Sequence, residues 1–547
     1  MTTFVLWTYK SKNKFMQSEV TVIDHEQLRY ENELLKLTVL GGIKLEGLDR
    51  LRITLKAEVK DSPRPALRHN LDLYNDTQLE KFIRRAAERL EIGTSVIAAS
   101  LAALTNLLED YRLKQLKDKQ NEFYKPKPLS EEERREAIAY LKAPQLMKRT
   151  MDDIGSSGVI GEEYNRLLMY LIFTSRKREQ PLHIVSLGSS GTGKTHLQEK
   201  VGELIPEEDK IEITTLSENA FYYFGQRELK HKLILIEDLD GAENVLYPLR
   251  ELQTKKRISK TIAHKNTKGE THTIHLIVEG PVSVAGCTTQ EYIYEDNANR
   301  SFLIYLDESK EQDAKVMAYQ RKRSAGKIVE EKEKQIKELF KNCQRVLEPI
   351  KIINPFAEQL YIPEEVFKPR RTNQHYLQAI EAVTFYKQHQ REQKADTDTG
   401  EMYIETTLED IEDANVLMKI ILLGKSDELT GACRTYLETL KVYLQQEKKK
   451  VFTNREIRKA LRINLSTQKR YTLALIDGFY IKRVKGSKAR GYEYEITSYE
   501  EFTQLQNRIT SVLDETLQKL KERFSGSGVV QRTNEPLKHK PSKALKV

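Results

Sequence analysis

Apolar and polar positions along this chain change period at a few clear points. Within residues 1–75 the runs Leu35–Leu40 (LKLTVL) and Leu51–Lys56 (LRITLK) alternate, which predicts short half-buried strands. From Thr77 to about Lys119 apolar residues recur three and four apart, as in LEKFIRRAAERL and VIAASLAALTNLLEDYRLKQL, which predicts helices. Tyr124–Leu129 (YKPKPL) is a proline-bearing hinge, and Ser130 with Glu133 has the spacing of a capping box opening the next helix. Two runs read as buried strands, the largely apolar Leu182–Leu187 (LHIVSL) and the fully apolar Leu233–Ile236 (LILI). A polar, turn-rich stretch at Arg391–Gly400 suggests a boundary, and the last 24 residues, from Phe524, have no periodicity and read as a disordered tail.

The first buried strand runs directly into Gly188-Ser189-Ser190-Gly191-Thr192-Gly193-Lys194-Thr195, and an amphipathic helix begins at His196. This is the full GxxxxGK[ST] loop in its strand–loop–helix setting. Glycines let backbone N–H groups curl around phosphate oxygens, and the helix N-terminus adds partial positive charge. Lys194 suits the β- and γ-phosphates of ATP, and the Thr195 hydroxyl suits Mg²⁺. The second buried strand ends in Glu237-Asp238, acids placed to hold the Mg²⁺ shell and to orient an attacking water. The usual order is Asp then Glu. In direct register Glu237 would contact the metal and Asp238 the water, and which of them holds Mg²⁺ stays open.

Beyond the acids come a helical stretch (ENVLYPLRELQ) and an alternating hairpin with arms ISKTIAH and THTIHLIV. The hairpin tip is Lys265-Asn-Thr-Lys268-Gly269; the strand Val282–Ala285 then leads to Cys287-Thr288-Thr289, followed by Asn299-Arg300 and SFLIYLD. Here the chain resembles the MCM-like AAA+ helicases, which carry a hairpin before the sensor-1 strand. The resemblance begins at Gly158-Val-Ile-Gly161-Glu162 and Leu167–Phe173 and reaches about residue 420. Within that group the chain looks most like helicases encoded by bacterial mobile elements, since it lacks a zinc-binding N-terminal portion. The resemblance implies that Thr288 stands at the sensor-1 position, where the group usually has Asn. It puts Arg300 at the arginine-finger position and Arg370 or Arg371 at sensor 2. It further implies ATP with Mg²⁺, a homo-oligomer (a hexameric ring), and Lys265 and Lys268 facing single-stranded DNA in a central pore.

Charge adds a second partner site. Residues 441–490 hold 15 Lys and Arg against 3 Asp and Glu, a local +12 in a chain whose net charge is +9, so the remainder is net negative at −3. Such concentration is the footprint of a polyanion-binding module. In the same stretch Thr453 and Glu456 have capping-box spacing, a helix is predicted to Leu461, a second helix over Ser466–Asp477, then two strands, FYIKRVK and YEYEI. This is the pattern of a winged helix. Gln468, Lys469 and Arg470 fall in the exposed N-terminal half of the recognition helix, where side chains reach a DNA major groove. Lys482, Arg483, Lys485, Lys488 and Arg490 load the wing with charge for phosphates.

Other chemistries find little support. Cys287, Cys343 and Cys433 lie far apart without a CxxC, so neither a disulfide scaffold nor a zinc ribbon is expected. His264, His272 and His275 fall together on the hairpin, but its alternation explains them. No apolar run is long enough to span a membrane, and the start MTTFVLWTYKSKNK is too short in apolar residues for a secretory signal, so a cytoplasmic protein is expected. The expected architecture is α/β: an N-terminal α/β accessory domain (1–125), an AAA+ P-loop NTPase core (126–310), a helical lid with connecting helices (311–440), a winged helix (441–498), and a C-terminal helix with its tail (499–547). The expected function is an ATP-dependent DNA helicase in the replication of a mobile element. The alternatives are a DNA-binding AAA+ loader or remodelling regulator without unwinding, and the helicase subunit of a primase-helicase with a primase partner.

Overall fold

The computed structural model describes residues 8–10, 19–24, 27–43, 50–123, 127–214, 220–240, 246–265, 271–289, 300–487 and 491–524. The chain folds as two compact units, Met1–Pro126 and Lys127–Val547.

In the first unit six strands, β1 (Thr8–Lys10), β2 (Glu19–Asp24), β3 (Gln27–Glu31), β4 (Leu35–Leu40), β5 (Arg52–Val59) and β6 (Leu67–Asp72), form an antiparallel meander in sequence order. The alternation seen in the sequence sets the register: Leu37 faces Ala57 and Val39 faces Leu55, all four buried on one face. Helix α1 (Asp76–Leu90) is capped by Asn75, whose side chain accepts from the Gln78 N–H. Its buried Phe82, Ala86 and Leu90 join Ile97, Leu101, Leu104 and Leu108 of α2 (Thr94–Phe123) in one core with the sheet.

The second unit opens with α3 (Glu131–Lys142), α4 (Leu146–Ser156) and α5 (Glu163–Thr174). Both halves of the Ser130–Glu133 capping box form, at 3.2 and 2.9 Å. Every residue of α5 from Arg166 to Thr174 is buried. Its sheet holds five parallel strands: β7 (Ile184–Leu187), β8 (Lys210–Ile213), β9 (Lys232–Ile236), β12 (Val282–Thr288) and β13 (Phe302–Tyr305), in the order β13-β7-β12-β9-β8. Helix α6 (Lys194–Gly202) follows β7, and α7 (Leu246–Lys255) precedes a separate two-stranded hairpin of β10 (Arg257–Lys265) and β11 (Thr271–Glu279). All residues of β7 and β12 are buried, as expected of parallel strands covered on both faces.

Downstream lie α8 (Lys310–Ser324), α9 (Glu330–Val346), β14 (Lys351–Ile353), α10 (Pro369–Tyr386), β15 (Lys394–Ala395), β16 (Met402–Glu405), α11 (Leu408–Ser426) and α12 (Gly431–Gln446). The stretch at 391–400 carries β15 and turns into β16, in a small sheet with β14, and Arg391 Nε donates to Asp410 at 3.2 Å. Then come β17 (Val451–Thr453), α13 (Asn454–Leu461), α14 (Leu465–Asp477), β18 (Ile481–Ser487) and β19 (Gly491–Ile496), with strand order β17-β19-β18. Thr453 caps α13 through the Glu456 N–H at 3.3 Å, but the reciprocal bond is not made. The Glu456 carboxylate turns instead to the Lys449 ammonium, a stronger charged partner than a backbone N–H.

The final helix, α15 (Glu501–Phe524), returns across α11. Ile509, Leu513, Leu517 and Leu520 enter the same core as Leu417 and Ile421 of α11. Lys419–Asp514 and Lys521–Glu412 pairs, both 2.7 Å, flank that seam. Phe524, expected to begin a tail, ends this helix with its ring 5.3 Å from that of Phe356; residues 525–547 lie outside the described residues. At the helix start the Arg434 guanidinium joins Asp427 (2.7 Å) to Glu501 (2.8 Å), with its carbon 5.1 Å from the Tyr480 ring centre and 4.5 Å from that of Phe502. Leu513→Ala is expected to lower stability by about 2–5 kcal/mol. Urea unfolding with a shift below about 1 kcal/mol would show that this docking is not part of the main core.

Candidate functional site

The loop after β7 is held by its own groups. Lys194, the first residue of α6, is buried, and its Nζ donates to the carbonyls of Gly188 (2.8 Å) and Ser189 (2.6 Å). Thr192 Oγ1 donates to the Ser189 carbonyl at 3.0 Å. Gly191 and Gly193 have φ of +86° and +90°, and a Cβ added at either would meet nothing within 4 Å. The cradle is therefore open on the side where phosphate oxygens would enter, and its N–H groups fit them. Ser190 and His196 are exposed, and Thr195 is half-buried beside the Cys287 thiol. Burial pushes that thiol up to about 12, against the opposing pull of Thr195 and Lys194.

The two acids after β9 face different ways. Glu237 Oε1 accepts from Thr214 Oγ1 (3.1 Å), just past β8 at the sheet's edge. Asp238 Oδ1 accepts the Asp240 N–H (2.9 Å), and its charge acts on Cys287 beside Thr195 and Lys194. Thr288, at the end of β12, is buried between the two systems, in register with Leu187 just before the loop.

Asp240 was missed in the sequence. Its carboxylate accepts from the Thr288 hydroxyl, from the Thr289 N–H (3.0 Å) and from Thr289 Oγ1 (2.7 Å). Burial opposes its ionisation most strongly, but the bonds from Thr288 and Thr289 and the charge of Lys194 outweigh that and hold its pKa below the ordinary value. The available signal was a third acid two residues past Asp238. Gln198 was also missed: Nε2 donates to the Ile236 carbonyl at 3.0 Å, tying α6 to the end of β9.

Arg300 and the Arg370–Arg371 pair lie elsewhere. Phe302, two residues after Arg300, pairs with Ile184 at the start of β7, so Arg300 sits at the N-terminal edge of the sheet. The four residues of β7 put roughly 13 Å between that edge and the loop. Arg300 Nη1 donates to Thr254 Oγ1 of α7. Arg370 and Arg371 are exposed in the first turn of α10; one turn on, His375 stacks on Phe302 with ring centres 5.0 Å apart. The two arginine positions thus share the edge remote from the loop.

Of the hairpin-tip residues, Lys265 closes β10 opposite Thr271, and Lys268 lies outside the described residues. His264 and His272 are register partners, and His275 Nδ1 shares a 2.8 Å hydrogen bond with Thr261 Oγ1. No group of three metal-ligating side chains occurs among the described residues. Lys469 and Arg470 are exposed on α14, but Gln468 departs from expectation. It is 1% exposed, with Nε2 donating to the Asn454 carbonyl at 2.7 Å, because the helical period puts it on the same inward face as Thr472. Lys482 is exposed but pairs with Glu495 at 3.0 Å, the Arg483 guanidinium lies 4.8 Å from the Tyr492 ring centre, and Lys485 is exposed; Lys488 and Arg490 lie outside the described residues.

A phosphate-binding loop between a buried strand and a helix, in a parallel sheet with acids at the neighbouring strand end, defines a P-loop NTPase fold. Residues 130–349 match a family described as the MTBMA_p00010 P-loop domain. The fold implies nucleotide binding, usually with Mg²⁺. No curated protein matches the chain. Among solved structures it is similar to a full-length MCM homolog from Methanopyrus kandleri (12% identity, 74% of this chain and 74% of that one, TM-score 0.30). It is also similar to Cch of SCCmec type IV, an active helicase (10% identity, 91% of this chain and 100% of that one, TM-score 0.24), and to the Aeropyrum pernix ORC1 protein in complex with DNA (11% identity, 70% and 97%, TM-score 0.19). No helix among the described residues is long and apolar enough to cross a membrane.

Proposed function

We propose that this protein is an AAA+ ATPase that hydrolyses ATP between copies of itself and uses the energy to translocate on and unwind DNA, in the replication of a mobile element. The observation that carries this reading is the division of the sheet. The loop, the acids and Thr288 share one edge; Arg300 and Arg371 share the other, out of reach of their own loop. Arginines so placed would act on phosphate across a subunit boundary, which supports head-to-tail assembly as a ring or filament, here read as a hexameric ring. Lys194 and the loop N–H groups would bind the β- and γ-phosphates. Thr195 and Asp238 would hold Mg²⁺, whose chemistry is to neutralise developing phosphoryl charge. The bond from Thr214 to Glu237, with Asp238 acting on Cys287 beside Thr195, supports giving the metal role to Asp238. Asp240 would fix the hydroxyl of Thr288 toward the γ-phosphate.

The basic C-terminal layout of two helices and a two-stranded hairpin supports a winged helix on duplex DNA, with Lys469, Arg470, Arg483 and Lys485 as contacts. The hairpin bearing Lys265 and Lys268 would follow the strand in the pore. The N-terminal unit would be an accessory domain, open to recruiting a primase.

Unwinding of a forked duplex by the wild type and not by Lys194→Ala is the expected result. ATP turnover without strand displacement would favour a loader or remodelling factor instead. Asp240→Asn is expected to lower turnover about 10–100-fold while nucleotide binding stays within about twofold, because the change loosens the hold on the Thr288 hydroxyl and leaves the hydrogen bonds of Lys194 within the loop in place. Turnover equal to wild type would remove Asp240 from the site.

A further inference from the structure

Next to Arg371, on the side of the sheet where Arg300 also stands, lies a third cation that neither the sequence pattern nor the proposed ATP site accounts for. Lys425, near the end of α11, has a partly buried side chain; its Nζ is 2.8 Å from His375 Nδ1 and 5.8 Å from the Phe302 ring centre. Its backbone carbonyl accepts the Phe367 N–H at 3.0 Å, which anchors it beside the start of α10. Among the described residues the groups facing it are basic or neutral. From α10 these are Arg371 and His375, from β13 Phe302; His183 and Arg300, just ahead of β7 and β13, lie behind His375. The nearest acids along the chain, Asp427 and Glu428, are turned to Arg434 and Tyr480. Among the described residues no carboxylate pairs with Lys425 or Arg371.

A partly buried ammonium with an imidazole and a phenyl ring for company is costly unless an anion arrives. Burial, with the added repulsion of Arg371, pushes Lys425 down to about 8; burial and the charges of Lys425, His183 and Arg371 push His375 down to about 2. His375 is therefore a neutral acceptor that orients the ammonium and adds no charge of its own.

We propose that Lys425, oriented by His375, completes with Arg300 and Arg371 an anion receptor for the terminal phosphates of ATP bound to an adjoining copy of this chain. The inference rests on the reading that ATP is shared between copies. Lys425 contributes charge from a position fixed by His375 and by its backbone bond to Phe367, whereas Arg371 is exposed to solvent. An arriving phosphate supplies a negative partner for the ammonium and so raises the lysine's pKa, holding it in the charged form.

The test uses the full chain in three forms, wild type, Lys425→Met and Lys425→Arg, together with Arg300→Ala and Lys194→Ala. Expected for Lys425→Met is a fall in ATP turnover of 10-fold or more, with binding of a fluorescent ATP analogue to its own loop within twofold of wild type. Lys425→Arg should recover most of the turnover. Without nucleotide, Lys425→Met should melt at or above the wild-type temperature at pH 7, since it relieves a buried charge. The folded pKa lies below the unfolded one, so between about pH 8 and 10.5 the unfolded chain holds more protons and wild-type stability gains with pH; the gap to Lys425→Met closes across that window. A 1:1 mixture of Lys425→Met with Lys194→Ala should regain turnover, because the second chain lends its intact receptor to the first chain's loop.

Unchanged turnover in Lys425→Met, or turnover lost without regain in the mixture while the Arg300→Ala and Lys194→Ala mixture does regain it, overturns the receptor alone. If neither mixture regains turnover and wild-type activity per chain is independent of concentration, ATP is not shared between copies, and the parent reading falls together with this one.

Discussion

Lys194→Ala is expected to lower ATP hydrolysis by at least ~10²–10³-fold and to weaken nucleotide binding, the largest effect of any single change within one copy. The Lys194 ammonium is the one loop side chain able to neutralise two phosphates at once, and in this structure it lies on the carbonyls of Gly188 and Ser189, directly under the open cradle. Among the described residues no carboxylate is bonded to it in its resting position, and its two hydrogen bonds are to neutral acceptors that a phosphate can replace. Truncation removes those bonds, about 1–3 kcal/mol, and leaves no buried acid uncompensated. The variant should therefore fold, with a modest drop in melting temperature, and fail in chemistry. Turnover measured beside equilibrium binding of ATP checks this; hydrolysis within a few-fold of wild type would mean the loop is not the catalytic phosphate site.

Arg300→Ala should act differently, through a neighbour. An arginine supplied in trans to a transferring phosphoryl group is worth roughly 10³–10⁵ in rate. Arg300 lies just ahead of β13 at the far edge from its own loop and is held by Thr254 of α7, so removing it leaves the cradle of the same chain intact. Binding of ATP by the isolated chain should be unchanged, turnover should collapse, and a mixture with Lys194→Ala should regain a fraction of it. Loss of binding equal to loss of turnover would assign Arg300 a structural role in its own copy.

Much of this site was legible because its signals are local. The P-loop needs glycines, a lysine and a hydroxyl in consecutive positions, and LILI followed by two acids marks a buried strand and its end. The capping box at Ser130 forms as its spacing predicts, since both partners lie within one turn. Thr453 and Glu456 have equivalent spacing, yet Glu456 turned to Lys449, because two partners were available and only the folded chain ranks them. Gln468 beside Lys469 and Arg470 was assigned to the exposed face of α14, but one residue on a helix is a 100° turn. The position of Asn454 decided which side was inward.

Sequence alone determined the nucleotide loop, the hairpin arms, the concentration of positive charge in residues 441–490 and the order of elements, since each depends on neighbours along the chain. Tertiary structure decided the rest: that Asp240 holds Thr288, that Glu237 and Asp238 part company, that α15 docks back on α11, and that Lys425 joins Arg371 and His375 beside Phe302. These contacts link residues tens to a hundred positions apart. Their energy comes from burial and charge compensation between elements, which no local pattern of residues encodes.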